Sequence, residues 1–141
     1  MTQLNPYLNF PGTAGDAINF YKDILGLEVA TLSRFGDVPA DAGMPPVDEK
    51  YKQNVMHATL RGNGMEFMVS DGMPGQQVSA GSSMSMSMNM DDPKETEDLF
   101  NKLSEGGKIT MPLQDTFWGA KFGMFTDKFG INWMFNCDLK K

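Results

Sequence analysis

The 141-residue chain has very few of the side chains that build disulfide-bonded or metal-rich proteins. It contains one cysteine and one histidine, which excludes a disulfide framework and a cysteine-based zinc site. Basic residues are also scarce, since 12 Lys and Arg stand against 18 Asp and Glu, for a net charge of −6. Proteins that bind nucleic acid are usually basic, so this balance argues against a nucleic-acid partner.

Long apolar runs are missing too. No run reaches the ~18 residues that a membrane span needs, and the first residues, Met-Thr-Gln-Leu-Asn, do not resemble a signal peptide. The composition, with 40% hydrophobic and 21% charged residues, is that of an ordinary globular domain. We therefore expect a soluble cytoplasmic protein with no membrane partner, and the composition alone indicates no function.

The first half of the chain predicts a strand, a helix and three more strands. Leu4–Phe10 alternates with the period of a strand, and the residues after Thr13 have helical spacing up to Gly26, a typical helix stop. Gly36–Lys52 holds several proline and glycine residues, so it is interpreted as a long loop that covers a binding site. The remaining strands of this half are predicted at Leu27–Phe35, Gln53–Arg61 and Met65–Asp71.

The second half predicts the same order of elements. Its clearest strand is Ser82–Met90, where methionines at even positions alternate with Ser85, Ser87 and Asn89. This methionine row is interpreted as core beneath a helix, with a copper-binding cluster as the alternative. A helix follows after Asp91 or Asp92 and ends at Gly106-Gly107. The later strands are predicted at Ile109–Leu113, Lys121–Thr126 and Ile131–Cys137.

The two halves match each other physically. Phe20-Tyr21 on the first helix corresponds to Leu99-Phe100 on the second, and Ile24 corresponds to Leu103. The sequence therefore predicts an α+β fold of two βαβββ modules, at residues of about 1–75 and 76–141. A duplicated fold by itself does not identify a reaction.

Several motifs resemble the vicinal-oxygen-chelate superfamily, which has the glyoxalase, bleomycin-resistance and dioxygenase fold. More narrowly, they resemble its PhnB-like branch, also labelled 3-demethylubiquinone methyltransferase-like. Nothing in the chain resembles a site for S-adenosylmethionine, so the label is not interpreted as an activity. The motifs are Pro6–Phe10, Ala17–Leu27, Met68–Pro74, Thr116–Gly119, Phe122-Gly123, Thr126–Gly130 and Trp133.

The resemblance covers essentially the whole chain and implies one domain over residues 1–141. In this superfamily each module forms half of a cup, the helices pack outside, and many members are homodimers. Metal ligands come from the first and last strands of each module. The family pattern places them here at Asn5, at Glu66 or Met68, at Ser85 and at Met134.

Only Glu66 among these positions is a usual ligand for a catalytic metal ion, because such sites take about three His, Cys or carboxylate side chains. We therefore predict no cofactor, and at most a weakly held divalent ion at Glu66. His57 is expected near Glu66 on the neighbouring hairpin strand, and the two are the candidate catalytic residues for proton transfer. The alternatives are a histidine satisfied by one hydrogen bond and a surface carboxylate. Asp71 is interpreted as a turn residue.

Strand alternation places the implied ligand positions on the more polar faces, which are expected to line the cup. Trp118 lies in a connection where it can stack on a planar ligand, whereas Trp133 and Cys137 are predicted to be buried. The predicted ligand pocket is lined by Asn5, Tyr7, Met68, Ser85, Ser87, Trp118 and Met134.

Three functions are compatible with these residues, and whether the protein is an enzyme stays open. The leading hypothesis is a PhnB-like protein that binds an unidentified small molecule without a metal ion. The second is a weakly metal-dependent lyase, isomerase or dioxygenase that uses Glu66. The third is a drug-sequestering resistance protein, because an acidic surface suits a cationic drug.

Overall fold

The computed structural model describes residues 2–39, 47–74, 77–78, 81 and 83–139. The chain divides into two compact units, Met1–Val78 and Ser79–Lys141. Within the described residues, each unit carries one α-helix and one four-stranded mixed sheet. No helix in the described ranges is both long enough and apolar enough to cross a membrane.

The first unit is a βαβββ module with strand order β1-β4-β3-β2. β1 and β4 are parallel, and the other neighbours are antiparallel. The helix packs on one face of this sheet, where the rings of Tyr21 and Phe67 meet edge to face at 6.0 Å. Its elements are β1 (Tyr7–Asn9), α1 (Ala14–Leu25), β2 (Glu28–Arg34), β3 (Val55–Gly62) and β4 (Met65–Ser70), with short 3₁₀ helices at Phe35–Asp37 and Glu49–Tyr51.

The second unit repeats this arrangement, with strand order β5-β8-β7-β6 and a parallel β5–β8 pair. Phe100 of its helix packs against the sheet, with ring centroids 5.0 Å from Phe125 and 5.5 Å from Phe135. The predicted α+β fold of two βαβββ modules is confirmed. The elements are β5 (Met86–Met90), α2 (Pro93–Ser104), β6 (Lys108–Asp115), β7 (Ala120–Thr126) and β8 (Asn132–Asp138).

The two ends of α1 are fixed in different ways. At the C-terminal end Gly26 takes φ 68°, a left-handed conformation that glycine adopts at little cost. At the N-terminal end Thr13 makes no side-chain cap, and Ala14 N–H instead donates to Asp71 Oδ1 at 2.8 Å. The other oxygen of Asp71 accepts from Val55 N–H at 2.8 Å. The interpretation of Asp71 as a turn residue is therefore wrong, because its buried carboxylate joins α1, β3 and the end of β4.

Two predicted strands are shorter in the structure. Leu4 is 97% exposed and lies before β1, and Met84 is 74% exposed and lies before β5. Of the predicted methionine row, only the three residues within Met86–Met90 pair with β8, and they are half-buried. Ser82 lies outside the described residues. So do positions 40–46 of the loop predicted to cover a binding site.

Candidate functional site

The first sheet carries a set of polar side chains on the face opposite α1. Along β3, Ala58 and Leu60 are fully buried towards the helix, and the alternate residues His57, Thr59 and Arg61 point the other way. The register brings side chains of β1 and β4 into line with them, with Tyr7 beside Met68 and Met68 beside Thr59. We call this the polar face, and it comprises Asn5, Tyr7, His57, Thr59, Arg61, Glu66 and Met68.

His57 is held between two hydroxyl groups. Its Nδ1 lies 3.1 Å from the Tyr7 hydroxyl, and its Nε2 lies 3.4 Å from Thr59 Oγ1. The rings of Tyr7 and His57 meet edge to face at 5.7 Å. Because a hydroxyl can donate or accept, these partners suit either neutral tautomer of the imidazole. Tyr7 is 46% exposed and Thr59 is 9% exposed, so Tyr7 is the more accessible end of this chain of contacts.

Glu66 is held between a cation and an amide. Arg61 Nε lies 3.1 Å from Glu66 Oε1, and Asn5 Nδ2 donates to Glu66 Oε2 at 3.4 Å. Arg61 is the residue directly opposite Glu66 in the β3–β4 ladder. His57 lies four residues away along β3, which is about 13 Å in an extended strand. The expected proximity of His57 and Glu66 is therefore wrong, although both lie on the polar face.

Two polar-face residues were not among the predicted site residues. Arg61 neutralises Glu66, and Thr59 contacts His57. Strand alternation was the signal for both, because His57, Thr59 and Arg61 occupy every second position of one strand. The sequence analysis did not predict the strand register across the Gly62-Asn63-Gly64 turn. This register places Arg61 opposite Glu66.

The residues at the implied metal positions do not fit a catalytic metal ion. Asn5 contributes a neutral amide, and the carboxylate of Glu66 is already paired with Arg61. In the second unit Ser85 is exposed ahead of β5, and Met134 lies opposite Ser87 instead. Within the described part of the chain, no group of three or more His, Cys, Asp or Glu side chains could hold a metal ion. This donor set lacks the three His, Cys or carboxylate ligands of catalytic zinc and iron sites.

The aromatic residues of the second unit separate into exposed and buried ones. Trp118 is 56% exposed in the β6–β7 connection, with its ring 5.1 Å from Phe117 and 5.9 Å from Phe122. Trp133 is buried, and its Nε1 donates to Asp127 Oδ2 at 2.9 Å. Cys137 is fully buried. The predictions that Trp133 and Cys137 are buried are confirmed, and the role of Trp118 as a ligand contact stays a prediction.

Comparison with known proteins places this chain in a family. Residues 2–135 match the family model described as 3-demethylubiquinone-9 3-methyltransferase. Protein PA1353 from Pseudomonas aeruginosa is 41% identical, with a TM-score of 0.86 and 98% of each chain covered. A PhnB protein from Bacillus cereus is 30% identical, with a TM-score of 0.78 over 96% of this chain and 99% of that one.

A more distant structure shares the fold alone. The glyoxalase-related enzyme from Fulvimarina pelagi is 16% identical, with a TM-score of 0.63 over 98% of this chain and 89% of that one. The resemblance predicted from the motifs is thus confirmed at the level of both fold and family. The chain belongs to the 3-demethylubiquinone-9 3-methyltransferase family, the PhnB-like branch of the vicinal-oxygen-chelate superfamily.

Proposed function

We propose that this protein binds a small organic molecule on the polar face of its first sheet, without a tightly bound divalent metal ion. The observation that carries the proposal is the ordered network on that face. Four hydrogen bonds between side chains lie there, and they link Asn5, Glu66 and Arg61 in one group and Tyr7, His57 and Thr59 in another.

Hydrogen bonds between side chains are a minority of the hydrogen bonds in proteins, so four on one sheet face are a distinctive feature. Most side-chain hydrogen bonds in proteins go to the backbone or to water, and only about 10–15% of all hydrogen bonds join two side chains. Side chains that hold one another in place lose less freedom when a ligand arrives, and this preorganisation favours binding. Tyr7 and Arg61 are also partly exposed, so a ligand can contact their side chains.

The composition of the polar face indicates the kind of ligand. Met68 lies between Tyr7 and Thr59 in the register and offers an apolar contact, while the Tyr7 hydroxyl offers a hydrogen bond. This mixture suits a molecule with an apolar body and one or two polar oxygens. Because Arg61 already neutralises Glu66, the face gives the cationic-drug alternative no support. The expected homodimer and cytoplasmic location stay predictions.

The test uses a library of small carboxylic acids, amines and neutral alcohols, each added to the labelled protein while backbone amide NMR shifts are followed. We expect the bound compounds to shift residues of β1, β3 and β4. Tyr7→Phe removes the hydroxyl that contacts His57 and should weaken these compounds about 2–12-fold, the equivalent of one neutral hydrogen bond.

Thr110→Val is the matched control, because it removes an exposed hydroxyl from β6 of the second unit, which carries no residue of the polar face. It should leave the affinities unchanged. Equal weakening in the two variants, or shifts centred on the α1 side of the sheet, would contradict the assignment. A library in which no compound binds would contradict it as well.

A further inference from the structure

Three methionines form a row across the sheet of the second unit. Met134 on β8 lies opposite Met124 on β7, and Met124 lies opposite Met111 on β6. All three side chains are half-buried. We call this set the thioether row. It runs across three strands, whereas the methionines within Met86–Met90 follow one another along a single strand.

The thioether row lies on the face of the sheet opposite α2. Met134 is flanked along β8 by Trp133 and Phe135, which are buried and face the helix side with Phe100. Met124 is likewise flanked by the buried residues Gly123 and Phe125. Met124 and Met134 therefore point away from α2, and as the register partner of Met124, Met111 shares that face. Packing against the helix of this unit thus does not account for the row.

The spacing of the row suits a small ion. Residues directly opposite each other on neighbouring strands have Cβ atoms about 4.5–5.5 Å apart. Methionine has three rotatable bonds and a polarisable sulfur, so three such side chains can turn their sulfur atoms towards one point. Met124 occupies the middle strand and is the register partner of both other members.

The surroundings of the row favour a soft monovalent ion over a hard divalent one. The side chains beside it in the register include no carboxylate: they are Ser87 opposite Met134, Asn132 and Asn136 on β8, Phe122 and Thr126 on β7, and Gln114 and Lys108 on β6. Hard divalent ions require carboxylates and other oxygen ligands, whereas thioethers select Cu(I). We infer that the thioether row is a binding site for Cu(I), and that Met111, Met124 and Met134 supply the ligands.

Two measurements on the full chain test this site. The first adds Ag(I), a soft ion that needs no reductant, to protein carrying methyl-labelled methionine. Of the 13 methionine methyl signals, those of Met111, Met124 and Met134 should shift together. The second measures Cu(I) affinity under anaerobic, reducing conditions by competition with a coloured Cu(I) chelator.

Met124→Leu removes the central sulfur and keeps the volume of the side chain, so the fold should be retained. The affinity for Cu(I) should fall at least as far as the roughly 10–100-fold that loss of an outer-shell partner costs at metal sites. Met88→Leu is the matched control, because Met88 lies on the opposite face of the same sheet, beside Phe135. It should bind Cu(I) like the unmodified protein.

Three results would overturn the inference. These are no competition by the unmodified protein, equal Cu(I) affinity in Met124→Leu and the unmodified protein, or Ag(I) shifts confined to other methionines. If Met124→Leu is poorly folded by circular dichroism, the methyl shifts of the unmodified protein decide the question alone. The outcome does not depend on the polar face, because Tyr7 and its neighbours take no part in the thioether row.

Discussion

Asp71 should be one of the most important side chains for the stability of the first unit, because it joins two elements of that unit by hydrogen bonds. Its two carboxylate oxygens accept hydrogen bonds from Ala14 and Val55, both at 2.8 Å. Ala14 and Val55 are buried, with 0% and 1% exposure, so water cannot replace the lost acceptor when Asp71 is truncated. The negative charge also lies at the N-terminal end of α1, where the helix dipole favours it.

The cost of Asp71→Ala can be worked from these contacts. A hydrogen bond to a charged group contributes about 1.5–3 kcal/mol, so losing two should lower the free energy of unfolding by roughly 3–6 kcal/mol. That is a large share of the ~5–15 kcal/mol typical of a natural protein. Asp71→Asn keeps one acceptor oxygen and turns an amide NH₂ towards the other backbone N–H. Its free energy of unfolding should therefore lie between those of the unmodified protein and Asp71→Ala.

Urea unfolding followed by far-UV circular dichroism measures these free energies. Asp23→Ala is the control, because Asp23 lies on α1 with 75% of its side chain exposed and should change stability by less than about 0.5 kcal/mol. An Asp71→Ala protein that unfolds within about 1 kcal/mol of the unmodified chain would refute the reasoning, since one such hydrogen bond alone contributes more.

Three further predictions concern two glycine substitutions and the metal content. Gly123→Ala should destabilise by about 1–3 kcal/mol in the same assay, because the new Cβ would lie 2.8 Å from Phe100 Cε2 and 2.9 Å from Leu113 Cα. Gly15→Ala on α1 should instead stabilise by about 0.5–1 kcal/mol, since an added Cβ would meet no atom within 4 Å beyond its chain neighbours and the adjacent helix backbone. After dialysis against micromolar zinc, nickel, manganese and iron(II), mass spectrometry should find no stoichiometric ion. One ion per chain that is lost in Glu66→Gln would contradict the metal-independent proposal.

Local patterns in the sequence predicted the order of the helices and strands and the outward face of strands such as β3 and β8, but not every strand boundary. The first helix was predicted to stop at Gly26, and it does, because φ 68° there is a conformation that most residues avoid. Alternation alone did not locate the start of β5. The amide of Asn132 donates to the backbone oxygens of Gly81 and Met84, so the chain around Met84 is bound by a side chain before strand pairing begins at Met86.

The contacts that make up the candidate site depend on register between strands that are far apart in the chain. Tyr7 and His57 are 50 residues apart, and Asp71 and Ala14 are 57 apart. No local period records which residue of β1 pairs with which residue of β4. Strand alternation could therefore place His57 and Glu66 on one face, but it could not show that Arg61, and not His57, lies opposite Glu66.

The thioether row was missed for the same reason, since its members come from three different strands. The methionines that are conspicuous in the sequence alternate along one strand, Met86–Met90. They face the helix side of the sheet, beside Trp133 and Phe135. In addition, the register of β6 shifts on both sides of Met111. Regular strand pairing counted from the neighbouring residues would therefore not have identified Met111 as the partner of Met124.

The two units share one backbone topology but carry different side chains at equivalent positions. The position where the parallel strands pair holds Tyr7 beside Met68 in the first unit and Ser87 beside Met134 in the second. Because the two copies of such a position are encoded separately, a change in one copy does not alter the side chain at the other, so a duplicated chain can place different functions in its two halves. For protein engineering, this means that one half offers a surface for redesign while the other retains its native chemistry.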